Sequence, residues 1–566
     1  MKRRAPLLLL SAWSAVALGC ASSLVTSNLD TSQLDDVTRD EANLVSRYTH
    51  PYGLDYVQVE AVALVTGLSG TGGDPPPTPQ REVLLEEMKR QEAPNPNKML
   101  AADSTALVLV RGYLRPGMQA GDKFDVEVRT PSRSETTSLR GGWVLPVRLS
   151  EHAVLGQQVR TGHTLATAEG HVLVDPSADG SNALATRGRI LGGAIAKKDR
   201  QMGLMISQED ASYNLAKSIG KAINARFHTY RDGRKTGVAK PQNPEFVQLL
   251  LHERYKENTT RFVKVVRNIA IRESAADLSE RLGRLSTQLL DPLTTARAAI
   301  RLEAIGDERA VATLKRGAEC ADPEVRFYSA EALAYLDETA AVEPLAQAAR
   351  DEPAFRVNAL AALSAMDDVV AYEALRSLLS VRSAETRYGA FRALWAMDAG
   401  DAMIRGEQLG GQFSYHRLDI DCPPMIHVTR SYRPEIVLFG TGQQFQLPMV
   451  LDAGSNILVN GLAGSRVTVS RFIENEPTQK RVVSTSVDEV IRAIVELGGA
   501  YPDVVQALQQ AKNDGALASS LRLDALPETG RAFDRSPPGE PVDPDDAGAT
   551  PYRVDTPLPD LFSRKK

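Results

Sequence analysis

The spacing of apolar residues changes its period several times along the chain. From Tyr56, "YVQVEAVALV" is rich in valine and partly alternating, which predicts a strand. "TALVLVRGYL" predicts a second. In "KFDVEV", Phe124, Val126 and Val128 alternate with Asp125, Glu127 and Arg129, so one face is buried and the other wet. Arg115-Pro116-Gly117-Met118 between them suits a type II turn, with Pro at i+1 and Gly at i+2. A short helix is expected around Glu82–Gln91, and further short strands run to about residue 206. Leu215, Ile219, Ile223 and Phe227 then recur every four residues, one apolar stripe of a helix. Ser207 is its expected cap, with Asp210 in the first turn.

Residues 281–404 differ in kind. They are rich in Ala, Leu, Arg and Glu and nearly free of strand signals. Leu302, Leu333, Leu363 and Leu394 are 31, 30 and 31 residues apart, and Ile305, Leu336, Met366 and Met397 keep that spacing. Leu314, Leu345 and Leu375 mark a second helix in each unit. A period near 30 with two helices per unit is the pattern of an α-solenoid and resembles about four short HEAT repeats. If this block is an insertion, removing 285–400 should leave the β-rich parts able to fold.

After about residue 405 the β pattern returns in "PEIVLFG", "QFQLPMVL", "ILVNGL" and "RVTVSRFI". Two helices follow. Ser486 and Glu489 have capping-box spacing, and Val487, Val490, Ile491 and Ile494 make the apolar face. Gly498 stops the first helix, Pro502 suits the first turn of the second, and Gly515 ends it. Residues 531–566 are rich in Pro, Asp and Gly without periodicity and are expected to form a disordered tail. The expected fold class is α+β, with β-rich domains interrupted by an α-solenoid. The expected divisions are 1–20, an export signal; 21–50, a polar tether; 51–280, an N-terminal α+β region; 281–404, the helical repeats; 405–530, a C-terminal β-rich region with its helix pair; and 531–566, the tail.

The first residues alter the compartment. Lys2, Arg3 and Arg4 precede an apolar run from Leu7 to Leu18, too short for the bilayer core, and then Gly19-Cys20. This layout resembles a bacterial lipobox, with Ala17 where leucine is usual. The expectation is an exported lipoprotein acylated on Cys20. Ala21 and Ser22 are not aspartate, so the destination is the outer membrane. The whole chain of 566 residues is too long for one core, and its net charge of −5 disfavours nucleic acid as a main partner.

Candidate chemistry is sparse. The loop "GLSGTGGD" (67–74) lacks the Lys-Ser/Thr of a phosphate-binding loop, so its glycines are read as turn geometry. "SLRGG" (138–142) has the same deficit and is read as a turn or bulge at a strand start. His252-Glu253 has no second histidine four residues on, and His163 and His171 have no ligand at metal spacing. Asp419 and Asp421 are read as alternating residues on the wet face of a strand. Cys320 and Cys422 stand far apart, and their pairing stays open. Arg111, Arg115, Arg129, Arg133, Arg140 and Arg148 make residues 105–150 locally basic, either a solvated face or a charged contact with a neighbouring subunit or an anionic wall polymer.

Five segments occur in an order that resembles the bacterial flagellar basal-body P-ring proteins. They are "VALVTGLSGTGGD" (62–74), "YLRPGMQAGDKFDVEV" (113–128), "SLRGGWVL" (138–145), "QEDASYNLAKSIGKAINARF" (208–227) and "VDEVIRAIVELGGAYPDVVQALQQAKNDGAL" (487–517). The lipobox, the helical block and the stretch from that block to Pro434 depart from the family pattern. The resemblance implies a structural protein and no enzyme, without metal or cofactor. It implies a periplasmic homo-oligomeric ring around the flagellar rod at the peptidoglycan, working with the L ring as a bushing. Gly67, Gly72, Asp74, Arg140, Gly141 and Gly142 are the residues expected to keep the ring-domain turns, and Arg140 is a candidate subunit contact. The competing expectation is a lipid-anchored HEAT scaffold in a secretion or pilus assembly.

Overall fold

A computed structural model describes residues 43–531 and 533, apart from 156–157, 176–181, 232–233, 463, 474–475, 529 and 532. Its architecture is α+β. The signal, Cys20 and nearly all of the expected tail lie outside the described residues.

The valine-rich N-terminal segments form one antiparallel sheet that closes on itself. Lys123–Arg129 pairs with Ala106–Leu114, which pairs with Val57–Thr66, then Trp143–Leu155, Gln158–His171 and Arg187–Ala196. The last of these returns to pair with Lys123–Arg129, so a six-stranded barrel results, with the short strand Leu173–Val174 added beside it. Closure removes the free edges that an open sheet presents. The alternation seen in the sequence fills the inside: Val59, Val65, Val110, Phe124, Val126, Val128, Val144 and Ala168 are buried together. Helix Pro79–Arg90 begins three residues before its expected start, because Thr78 caps it by accepting from the Arg81 N–H and Pro79 stands in the first turn. It covers the outside through Leu84 and Met88 against Leu64 and Leu107. Gly117 takes φ +69° in the expected turn, and the Met118 N–H donates to the Arg115 carbonyl at 3.4 Å.

A second sheet joins Thr49–Tyr52, Met202–Ile206, Phe246–Leu249 and Ala239–Pro241. Helix Tyr213–Arg226 packs on it through Ile219 and Ile223. Its cap is Ser212, whose Oγ accepts from the Leu215 N–H, and not Ser207. Ser207 lies before the helix, where its N–H donates to the Tyr48 carbonyl. The expected tether is also structured at its end. Val45–Tyr48 is a helical turn and Thr49 begins an edge strand, with the Val45 N–H donating to the Ile269 carbonyl. Val45 is buried, which the polar composition around it concealed.

The period of 30 becomes eight helices: Ala275–Leu289, Thr295–Ile305, Glu308–Ala318, Pro323–Tyr335, Val342–Asp351, Arg356–Ser364, Val369–Leu378 and Ala384–Met397. Leu302, Leu333, Leu363 and Leu394 fall on alternate helices and are all buried, as are Leu314, Leu345 and Leu375 on the helices between them. The first helix starts at Ala275, earlier than the composition shift, because Ser274 and Asp277 form a reciprocal capping box there.

The C-terminal part holds two sheets. Glu407–Leu409, Phe413–Leu418, Glu435–Phe439, Met425–Val428 and Ser520–Leu523 form a mixed sheet, with parallel pairs as well as antiparallel ones. Met449–Ala453, Ile457–Gly461, Arg466–Arg471 and Gln479–Ser484 form an antiparallel sheet backed by helices Val487–Glu496 and Tyr501–Asn513. Ser486 is the N-cap of the first helix, but its side chain makes no cap bond. Glu489 instead accepts from the Ser484 N–H, so the expected capping box is absent. The strand expected to carry Asp419 and Asp421 ends at Leu418, and both aspartates are exposed in the following loop.

The helical block does not hang from the rest as a separate body. One hydrophobic core runs from Val45, Leu204 and Ile219 through the helical repeats to Met425, Val437, Phe439 and Leu526. Two buried polar clusters fasten the joins. At the first, Arg261 of helix Thr259–Arg267 reaches between the first repeats, pairing with Glu303 at 2.6 Å and Glu331 at 2.7 Å. Tyr255 Oη donates to Glu303 at 2.6 Å and stacks on Tyr335. Burial opposes the charge on Arg261, but Glu303 and Glu331 outweigh it and hold the guanidinium above its ordinary range. At the second, Tyr388 Oη donates to Glu435 at 2.6 Å, Arg392 donates to the same carboxylate at 3.3 Å, and His427 stacks on the Tyr388 ring. Burial raises the Glu435 pKa, yet Arg392, Arg433 and His416 together bring it below the ordinary range.

Candidate assembly site

Gly67, Gly72, Asp74, Arg140, Gly141 and Gly142 fall in two loops that meet at one end of the barrel, together with the turn before Ala106. The meeting is made by backbone. The Leu68 N–H donates to Ser104 O at 3.1 Å, Gly72 N–H to Asp103 O at 2.7 Å, Gly73 N–H to Thr105 O at 3.2 Å, and Thr137 N–H to Thr71 O at 2.9 Å. Thr71 Oγ1 donates to Ser138 O at 2.8 Å. The protein's own carbonyls thus occupy the Leu68, Gly72 and Gly73 donors of the loop. These bonds make the loop a joint with the turn before Ala106 and with residues 137–138.

Residues 139–142 form a tight turn. The Gly142 N–H donates to the Leu139 carbonyl at 3.1 Å, and Gly141 takes φ +72°. That φ at the third position, with the strand starting at Trp143, is the geometry a type II turn requires. Gly142 is confined for a different reason: a Cβ there would lie 2.5 Å from Val65 Cγ1 and 3.0 Å from Leu139 O. Leu139 itself is fully buried and plugs the barrel end. Gly72 is tighter still, because a Cβ would fall 2.1 Å from Thr105 O and 2.6 Å from Asp103 O, both backbone atoms that cannot swing aside. Gly72→Ala is expected to break the Gly72–Asp103 bond and to cost about 1–3 kcal/mol. A chemical denaturation curve checks it, and an unchanged midpoint would contradict it.

Asp74 pairs with Arg81 on helix Pro79–Arg90, which ties the outer helix to the joint. Arg140 is half-buried, and its N–H donates to Ser138 Oγ at 3.2 Å. The structure thus brings the six expected residues to one barrel end.

Other candidates disperse. Among the described residues, no group of three His, Cys, Asp or Glu side chains is arranged to hold a metal. His171 stands edge-on to Trp143 with its pKa lowered by burial. His252 caps a short turn, and burial, Arg254 and Arg226 lower its pKa. Cys320 and Cys422 are free thiols, and Arg387 Nη1 lies 3.7 Å from Cys422 Sγ. Residues that the sequence reading missed are Arg261, Glu303, Glu331, Arg392 and Glu435. Their signal was a charged residue placed on an otherwise apolar helix or strand face, as in "FVKVV" after Arg261 and "PEIVLF" around Glu435. No helix of the described residues is long and apolar enough to cross a membrane.

Comparison with known proteins places these parts. Residues 49–278 match the family described as flagellar P-ring protein, and residues 314–395 match HEAT repeats. The flagellar P-ring protein of Caulobacter vibrioides is 29% identical over 204 residues, covering 34% of this chain and 50% of that protein. That of Photorhabdus laumondii is 32% identical over 230 residues, covering 38% of this chain and 57% of that protein. That of Rhodopseudomonas palustris is 26% identical over 276 residues, covering 46% and 68%. The chain thus spans about half to two thirds of the length of these relatives. A P-ring-like region is followed by HEAT repeats that the structure builds into the same core.

Proposed function

We propose that this chain is a structural subunit of a periplasmic ring around the flagellar rod, anchored to the outer membrane through a lipid on Cys20. The observation that carries the reading is the match of residues 49–278 to the P-ring family, which includes the barrel and its glycine joint. A closed barrel stiffened by backbone bonds suits a part that carries load and catalyses nothing. Copies related by rotation would close the ring through one repeated contact. Arg140 at the joint is the residue assigned to that contact. The HEAT repeats would form a rim of the ring, and the shared core would pass force from that rim to the sheet Thr49–Tyr52, Met202–Ile206, Phe246–Leu249 and Ala239–Pro241.

Basal bodies purified from the native cell test the reading. The chain is expected to fractionate with rod and ring, and deleting its gene is expected to remove the ring and abolish swimming. Normal swimming without the gene would overturn the proposal in favour of a non-flagellar envelope scaffold. The anchor is tested separately. Cys20→Ala should move the protein from the membrane to the soluble periplasmic fraction, whereas unchanged fractionation would refute acylation.

A further inference from the structure

A cleft of about 460 Å³ lies where the barrel wall meets the C-terminal sheet. Its walls carry Arg111, Arg129, Arg187, Arg189 and Arg430 against Glu127, Asp175 and Asp524, an excess of two positive charges. The carboxylates have partners: Glu127 pairs with Arg189, Asp175 pairs with Arg430, and Asp524 accepts from the Arg430 N–H and Ser431 Oγ. Arg111 pairs with Glu60 outside the cleft. Arg129 and Arg187 remain. They are directly opposite each other in the ladder between Lys123–Arg129 and Arg187–Ala196, and both are exposed. Among the described residues neither forms an ion pair. Like charges facing across a strand pair destabilise the sheet unless an anion sits between them. The cleft also has an apolar lining, Leu109, Leu173 and Leu184, with Leu184 43% exposed.

We propose that this cleft binds an acidic, proline-containing peptide, and that the ligand is the stretch Glu540–Asp546 of this same protein. That stretch reads "EPVDPDD": four carboxylates and no basic residue, interleaved with Pro541, Val542 and Pro544. Its carboxylates match the two unpartnered guanidiniums, which hold carboxylate with charge-assisted bonds. Its prolines and valine match the apolar lining, and prolines keep such a segment extended at small entropic cost. The chain is long enough to reach. Asp524 is in the cleft wall, and nine residues later Phe533 stacks on Phe355. The distance from Phe533 back to the wall cannot exceed nine residues of extended chain, so Asp543, Asp545 and Asp546, ten or more residues beyond Phe533, can span it. The same stretch of a neighbouring copy carries identical chemistry.

The test uses the full chain with the photoreactive residue p-benzoylphenylalanine in place of Leu184. Irradiation, digestion and mass spectrometry should find crosslinks within residues 536–550. A product of monomer size assigns the ligand to the chain's own stretch, and a product of dimer size assigns it to a neighbour's. Arg129→Gln with Arg187→Gln should lower the yield roughly fivefold or more. Asp543→Asn, Asp545→Asn and Asp546→Asn together should do the same without touching the cleft, which guards against a folding artefact. Absence of crosslinks to 536–550, or a yield indifferent to both sets of substitutions, overturns the proposal.

Discussion

A chain from which residues 285–400 are deleted is expected to lose cooperative folding altogether. The sequence period suggests a removable insertion, but the packing argues otherwise. The core beneath Leu204, Ile219, Ile223 and Phe262 is continuous with that beneath Leu302, Leu333 and Leu360, and at the far side with Val437 and Phe439. Deletion would uncover both ends of that core at once. Each large aliphatic or aromatic side chain brought to water forfeits about 1.5–3 kcal/mol, so a handful exceeds the typical stability of a whole domain. It would also leave Arg261 and Glu435 buried without Glu303, Glu331, Tyr388 and Arg392. Circular dichroism melting and gel filtration of the deleted chain check this. Aggregation or a broad, featureless melt is expected, and a sharp transition of a monodisperse product would show that the flanking parts fold alone.

Arg261→Ala is the single substitution with the largest expected effect. The guanidinium is 1% exposed, its two carboxylate partners are equally buried, and it lies over the Tyr335 ring. Removing it leaves Glu303 and Glu331 facing each other in the interior without a cation. Breaking a buried pair by deleting one partner costs about 3–5 kcal/mol, far more than the pair's net contribution, because the stranded charge cannot return to water. Burial already raises the Glu331 pKa, and without Arg261 this carboxyl would take up a proton more readily still. The destabilisation should therefore shrink as pH falls through the carboxylate range, since a protonated Glu331 no longer repels Glu303. Urea unfolding of the variant at neutral and at acid pH checks both magnitude and trend. A loss below about 1 kcal/mol would mean that the join is held by apolar packing alone.

Much of this architecture was legible in the chain because it rests on short-range regularities. Valine alternation at 57–66 and 123–129 reports the pleat of a half-buried strand, and Leu302, Leu333, Leu363 and Leu394 report one buried row of a repeat. The turn glycines were legible for the same reason: a positive φ at Gly117 and Gly141 is a local demand. What escaped was set by partners remote in sequence. Thr49–Tyr52 becomes a strand because Met202–Ile206 lies beside it, so its polar neighbours misled. Arg261 looks like an ordinary helix-surface arginine until Glu303 and Glu331 are brought to it by 42 residues and more of intervening chain. The cap expected at Ser207 falls instead at Ser212, and Ser486 keeps its cap position without a side-chain bond. The confinement of Gly72 likewise depends on Thr105 and Asp103, which its own loop does not contain.

The proposed ring subunit joins a P-ring-like barrel and a HEAT block at the flagellar base. Imaging a fluorescently labelled, functional copy in living cells alongside a stained filament tests this most directly. A discrete focus is expected at the base of each filament, with fluorescence at that focus lost on deletion of residues 285–400. A signal spread evenly around the envelope, or gathered at sites without filaments, would contradict it.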